Sequence, residues 1–210
     1  MNKIKKYIKM PIIVILALLL ILFVYFFVGF SKENSRIAWG VNFSQKRAQE
    51  LGLDWKEAYS ALLNDLGAKK LKLATHWDLI EKEEGKYDFS DLDWQIGQAE
   101  EKGGEIILAV GRKTPGWPEC HVPDWIGQKT KEYQQEKILS LVSAVIERYK
   151  GYSAIKYWQV ENEPFFPFGK CLWRDDDFLE KEIELVKKID SSRPVIISES
   201  GEFPLWVKAA

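Results

Sequence analysis

Hydrophobic and polar positions divide the chain into two regimes. The first is an uncharged run from Pro11 to Phe30, preceded by Lys3, Lys5, Lys6 and Lys9. Twenty residues in a helix reach roughly 30 Å at ~1.5 Å per residue, the thickness of a bilayer core. The second regime, after a polar spacer at 31–36, alternates short apolar runs with amphipathic segments. Strands are predicted at 37–43, 70–75, 105–110, 155–161 and 194–199. The run Ile106-Ile107-Leu108-Ala109-Val110 is continuously apolar, as in a buried parallel sheet. Helices are predicted at 55–66, 91–103, 131–149 and 175–189. Tyr59, Leu62, Leu63 and Leu66 recur at helical spacing before the stop at Gly67. Ile138, Leu141, Val142, Val145 and Tyr149 form a second such face. A fifth helix is predicted to begin near Pro204.

Strict alternation of strand and helix implies a parallel sheet covered by helices, an α/β fold. An open dinucleotide-binding sheet would want a glycine-rich turn after the first strand, and Asn42-Phe43-Ser44-Gln45 has none. A phosphate loop is also missing from the sequence. The expectation is therefore a (β/α)8 barrel. Such a barrel has eight strands and typically ~250 residues, so the sequence predicts one truncated after about five β/α units. The predicted layout is a basic cytoplasmic end at 1–10, a transmembrane anchor at 11–30, a spacer at 31–36 and a partial barrel at 37–210. Lysines on the N-terminal side place that side in the cytoplasm and the barrel outside the cell. Cleavage of residues 11–30 as a signal peptide, giving a secreted protein, is the alternative; signal cores are normally shorter, ~7–15 residues.

Composition narrows the function. The chain is 46% hydrophobic and 29% charged with a formal net charge of -1. No basic stripe offers itself to nucleic acid. Nine Trp residues fit either a large aromatic core or a cleft where flat rings pack on sugar faces. Two His residues without a His-x-His pattern give no metal site, and no cofactor is expected. Cys120 and Cys171 are a disulfide candidate in an exported chain; two unpaired thiols are the alternative. They fall in the loops after the third and fourth strands, neighbours on one face, where a bond would brace the rim.

In a barrel the site forms where strands end. Here those ends carry Asn42, His76 with Trp77, Arg112, Asn162 with Glu163, and Glu199. Glu163 is followed by Pro164-Phe165-Phe166-Pro167-Phe168. An apolar lip can keep a carboxyl protonated, ready to give its proton to a departing glycosidic oxygen. Asn162 can hydrogen-bond a sugar hydroxyl. His76, Arg112, Trp77, Trp117, Trp173 and Glu199 are candidate substrate contacts, each with ordinary packing or ion pairing as its other reading. Asp175, Asp176 and Asp177 suit a helix start.

The string Trp158-Gln159-Val160-Glu161-Asn162-Glu163-Pro164, ending a fourth strand, resembles the Asn-Glu-Pro signature of clan A glycoside hydrolases. The stretch from Trp77 to Ser90 with Leu92-Asp93 resembles the segment after strand two in the β-galactosidase-like and related branches. The resemblance implies a retaining glycosidase acting on an oligo- or polysaccharide, with Glu163 as acid/base and Asn162 contacting the 2-hydroxyl. In that clan the nucleophile is a Glu ending strand seven. The sequence therefore predicts a nucleophile beyond residue 210 and no activity from these residues alone. A non-catalytic glycan-binding or scaffolding barrel at the membrane surface is the alternative, and a metal-dependent barrel hydrolase a more distant one.

Overall fold

A computed structural model of the protein describes residues 2–27 and 38–201. Two compact units are present, 1–38 and 39–210. In the first, α1 (Asn2–Phe27) is a continuous helix that includes Pro11. The predicted anchor is thus helical to Phe27, and residues 28–30 lie outside the described residues. Among the described residues no helix is long and apolar enough to cross a membrane.

The second unit holds β1 (Val41–Asn42), α2 (Gln45–Glu50), α3 (Trp55–Asn64), β2 (Lys70–Ala74), α4 (Trp77–Ile80), α5 (Ser90–Glu101), β3 (Glu105–Val110), α6 (Lys131–Tyr149), β4 (Ile155–Val160), α7 (Asp176–Ile189) and β5 (Val195–Ile196). The strands lie in the order β1-β2-β3-β4-β5, and every neighbouring pair is parallel. Sequential order has no switch point of the kind that defines a doubly wound sheet. Burial says the same. Leu71, Leu73, Ile106, Leu108, Val110, Trp158 and Val160 share one core with Ile96, Leu141, Val145 and Val186 of the helices. Lys72, Ile107 and Tyr157 face the other way and stay half-buried or exposed. Helices on one face and an open inner face make this sheet the wall of a barrel.

Predicted and observed elements differ mainly at the sheet's margins. The strand expected at 37–43 pairs only over Val41–Asn42, and that at 194–199 only over Val195–Ile196. Both are the outermost strands of the described sheet, each paired on one side only. Two short helices, α2 and α4, were not predicted; both are under seven residues, too short to show a period. The helix expected near Pro204 lies outside the described residues. Caps follow the expected chemistry. The carboxylate of Asp54 accepts from the Lys56 and Glu57 amides, Thr130 from that of Tyr133, and Asp175 from that of Phe178. Asp175 is thus a helix cap. Its carboxyl is drawn down to about 2, first by the hydrogen bond from Lys131.

The segment after β2 is tied by one side chain. Glu81 accepts from the indole N–H of Trp77 at 2.6 Å and from the Gly85 amide at 2.7 Å, and its carbonyl accepts from Trp125 at 2.8 Å. The turn that carried part of the family resemblance is therefore folded around a buried carboxylate.

Candidate active site

Beyond β4 the chain leaves extended geometry. Glu161 and Glu163 both adopt left-handed φ, 56° and 47°. A non-glycine residue there costs of order 1–3 kcal/mol and persists only when its surroundings over-determine it. At Glu161 they do. Its carboxylate takes the amide of Arg112 at 2.8 Å and that of Lys113 at 2.6 Å, bolting the end of β4 to the end of β3. Gly111 makes room, since a Cβ there would sit 2.6 Å from a Glu161 oxygen.

Behind Glu161 lies Glu182 of α7, 1% exposed. Burial pushes its carboxyl well above the ordinary range, and the charge of Glu161 adds to this. Burial raises Glu161 too, against the pull of Arg112 and the two amides. Glu182 therefore holds the proton and donates to Glu161. The Arg112 guanidinium faces both carboxyls, lies 3.8 Å from the Trp173 ring centre and donates to the Trp173 carbonyl at 2.8 Å. A cavity of about 260 Å³ adjoins this cluster, with Phe166, Phe168, Trp173 and Phe178 among its walls.

Asn162 and Glu163 open the other way. The Asn162 carbonyl oxygen accepts from the Ser198 hydroxyl at 3.0 Å and, at longer range, from Gln159 at 3.4 Å and Lys72 at 3.5 Å. Its amide nitrogen donates to Glu119 at 3.1 Å. The Glu163 amide donates to Ser198 at 3.1 Å. Lys113 donates to the carbonyls of Glu163 at 2.8 Å and Phe166 at 2.7 Å, shaping the aromatic loop. Burial lowers both Lys72 and Lys113, while the charges of Glu163 and Glu119 act to raise each. Glu163 thus sits among two lysines and a second carboxylate. Beside Lys72, a cavity of about 480 Å³ is lined by Asn42, Ala74, Pro115, Gly116 and Trp117.

The remaining predicted contacts separate. Trp117, 55% exposed, presents its ring beside Phe168 at 5.7 Å between centroids, a surface on which a sugar ring can stack. Trp77 is 0% exposed and packs edge-on against Trp125. Trp173 packs on Arg112 and Phe178, its indole N–H donating to Gln134 at 2.7 Å. His76 is buried against His121, ring centres 4.3 Å apart. Burial lowers His76 well below its ordinary value and brings His121 to about 4. Lys46 bridges Asp78 and Nδ1 of His121. The Gly116 carbonyl sits 3.1 Å from Nε2, so the proton of neutral His121 belongs on Nε2. Glu199 turns one oxygen back to the Ser200 amide at 2.9 Å. The predicted disulfide is present: Cys120 and Cys171 are joined, with Cα atoms 5.2 Å apart.

Residues passed over by sequence reasoning carry much of this site: Lys72, Lys113, Glu119, Glu161, Glu182 and Ser198. Lys72 left a signal, a charge on the inward side of a strand whose other side is Leu71 and Leu73. Glu119 left none, because only the folded loop brings it to Asn162.

A parallel barrel wall with Asn-Glu at the end of its fourth strand defines a clan A glycoside hydrolase. Residues 39–182 match the family described as glycosyl hydrolase family 10, and the chain belongs to that family. It is 24% identical over 191 residues to the probable mannan endo-1,4-beta-mannosidase A of Aspergillus flavus, covering 84% of this chain and 47% of that protein. The chain thus spans about half the length of that curated relative. Its fold matches a GH5_18 enzyme of Streptomyces cattleya in complex with GlcNAc, TM-score 0.60 at 14% identity, over 76% of this chain and 44% of the other. It also matches xylanase 10B of Thermotoga petrophila in complex with xylobiose, TM-score 0.57 at 20% identity, over 77% and 49%.

Proposed function

We propose that this domain belongs to a retaining glycosidase that cleaves a β-1,4-linked polysaccharide of the mannan or xylan kind outside the membrane, with Glu163 as general acid/base. The observation that supports this most is the placement of Asn162-Glu163 at the end of β4, inside the region matching family 10. In the first step Glu163 gives its proton to the glycosidic oxygen as the bond to the anomeric carbon breaks. A second carboxylate, which this reading places on strand seven of a complete barrel, takes the sugar as an ester. Water then attacks that ester, giving its proton to Glu163 and releasing the sugar. Asn162 holds a ring hydroxyl throughout, and Trp117 offers a stacking face.

In the enzyme, Glu163→Gln is expected to lower kcat on an unactivated glycoside about 10²–10⁴-fold, with far less loss on an aryl glycoside whose leaving group needs no proton. Equal losses on both, or none, would remove Glu163 from this role. Retained glycan binding without turnover in the unsubstituted protein would favour the non-catalytic alternative.

The same reading places residues 11–30 in the membrane and 1–10 in the cytoplasm. Support comes from the uncharged run, its flanking lysines and the disulfide. Protein in cells is expected to resist alkaline carbonate extraction and to shed a soluble domain to external protease. A mature chain starting just after residue 30 would replace the anchor with a signal peptide.

A further inference from the structure

We infer that Glu119 is the positioning residue for Asn162, fixing which end of its side-chain amide meets the sugar, and that the Cys120–Cys171 disulfide holds Glu119 in place. The inference rests on the proposed reading of Asn162 as a sugar contact.

An asparagine amide has two ends that differ only in what they offer, donor or acceptor, and it can turn over. On one side of Asn162 stands Ser198, whose oxygen accepts from the Glu163 amide at 3.1 Å and from Gln159 at 3.2 Å and whose hydroxyl donates to the Asn162 oxygen at 3.0 Å. Gln159 and Lys72, both donors there, are at 3.4 and 3.5 Å. On the other side stands Glu119, whose ionised carboxylate can only accept, at 3.1 Å. Glu119, the only acceptor-only group among the described partners of Asn162, therefore holds the nitrogen end toward the loop after β3, while Ser198 and Lys72 hold the oxygen end. The amide nitrogen carries two hydrogens. One goes to Glu119; the second is the donor presented to a ring hydroxyl.

The loop is built to hold this carboxylate. Glu119 has a left-handed φ of 70° and is 8% exposed. Its amide donates to Gly116 at 2.6 Å, and its carbonyl accepts from Thr114 at 2.9 Å. From the β4 side, the Lys170 amide donates to the Pro118 carbonyl at 3.0 Å. Gly169 approaches so closely that a Cβ there would lie 2.6 Å from the Glu119 Cβ. The next residue, Cys120, is bonded to Cys171 two residues past Gly169. The disulfide thus clamps the strand-three loop onto the strand-four loop at the point where Glu119 meets Asn162.

The charged groups facing Glu119 are Lys113 from the end of β3, Glu163 from the end of β4 and Lys72 from β2. Burial holds its carboxyl above the ordinary range, with Glu163 adding to the rise, while Asn162, Lys113 and the Gly116 backbone pull down. Protonation removes the acceptor-only constraint on the nitrogen end of Asn162 and changes the environment that its amide hydrogens report.

The test follows the side-chain amide of Asn162 by ¹H–¹⁵N NMR across pH, assigned through its own backbone. In the wild type, without ligand, this resonance pair should titrate with a midpoint above that of an exposed glutamate. Glu119→Gln should abolish that titration, and reduction of the disulfide should broaden or shift the pair. Binding of a β-1,4-mannotetraose or xylotetraose probe should weaken about tenfold in Glu119→Ala, with Glu119→Gln in between. An amide that does not titrate in the wild type overturns the inference, whether or not any variant folds. So does a titration that survives in a folded Glu119→Gln. If the amide behaves as expected and neither probe binds, the positioning stands and the sugar reading of the site fails instead.

Discussion

Removal of the Cys120–Cys171 bond offers the most quantitative check on the structure. The bond joins residues 51 apart in sequence. Closing a loop of that length in the unfolded chain removes entropy worth about 4 kcal/mol at 25 °C. Domains are typically stable by only ~5–15 kcal/mol, so the bond carries a large share of what holds this one folded. The fitting perturbation is Cys120→Ala with Cys171→Ser, because Cys120 is buried and Cys171 is not; a serine hydroxyl at 120 would add a desolvation cost of its own. Urea unfolding followed by tryptophan fluorescence should show a loss of about 3–4 kcal/mol. The dependence on urea should steepen, since a chain without the link exposes more surface when unfolded. The melting point should fall by roughly 10 °C, taking ~2–4 °C per kcal/mol for a domain of this size. A loss below about 1 kcal/mol at unchanged slope would refute the view that the bond acts by constraining the unfolded chain.

Other expectations follow from the buried groups. Glu182 and Glu161 are raised in the folded state, so the native protein binds a proton that the unfolded chain releases. Stability from this pair is full below the ordinary carboxylate value and is lost as pH rises through the raised folded value. Glu182→Gln keeps a donor toward Glu161 without a titrating group, so its stability should fall less than that of the wild type as pH rises from about 4 to about 8; parallel curves in urea titrations would discount the shared proton. Gly111→Ala should destabilise by more than the ~1–3 kcal/mol of backbone strain alone, because its methyl would displace the Glu161 carboxylate from the Arg112 and Lys113 amides. Wild-type stability in that variant would mean that the clamp between the ends of β3 and β4 is dispensable.

Much of this protein could be read before folding it. The long helix α6 declared itself by period and the interior strand β3 by its continuous apolar run, because burial acts on the same face at every helical repeat and on both faces of a covered parallel strand. Ile138, Leu141, Val142, Val145 and Tyr149 are all fully buried, as their spacing required. The class of enzyme was legible because Asn162 and Glu163 are adjacent in the chain at the end of a strand. The two cysteines were legible as partners because consecutive loops of a parallel sheet lie side by side.

What the sequence could not decide was which way side chains point once a strand ends. Trp77 is fully buried, whereas Arg112 and Trp173 stack on each other and line the cavity beside Glu161 and Glu182. The Arg112 side chain lies against Trp173, while its backbone amide binds Glu161, and Trp77 enters the core. Glu119 and Lys113, unremarkable in their loops, instead converge on Asn162 and Glu163. Those directions are set by left-handed turns at Glu119, Glu161 and Glu163 and by a buried, shared proton. Local sequence encodes the period of a strand or helix, which many residues enforce together. The orientation of a single side chain in a loop is fixed by contacts among residues 43 to 90 positions apart, such as Glu119 and Lys72 on Asn162, and these exist only in the folded chain.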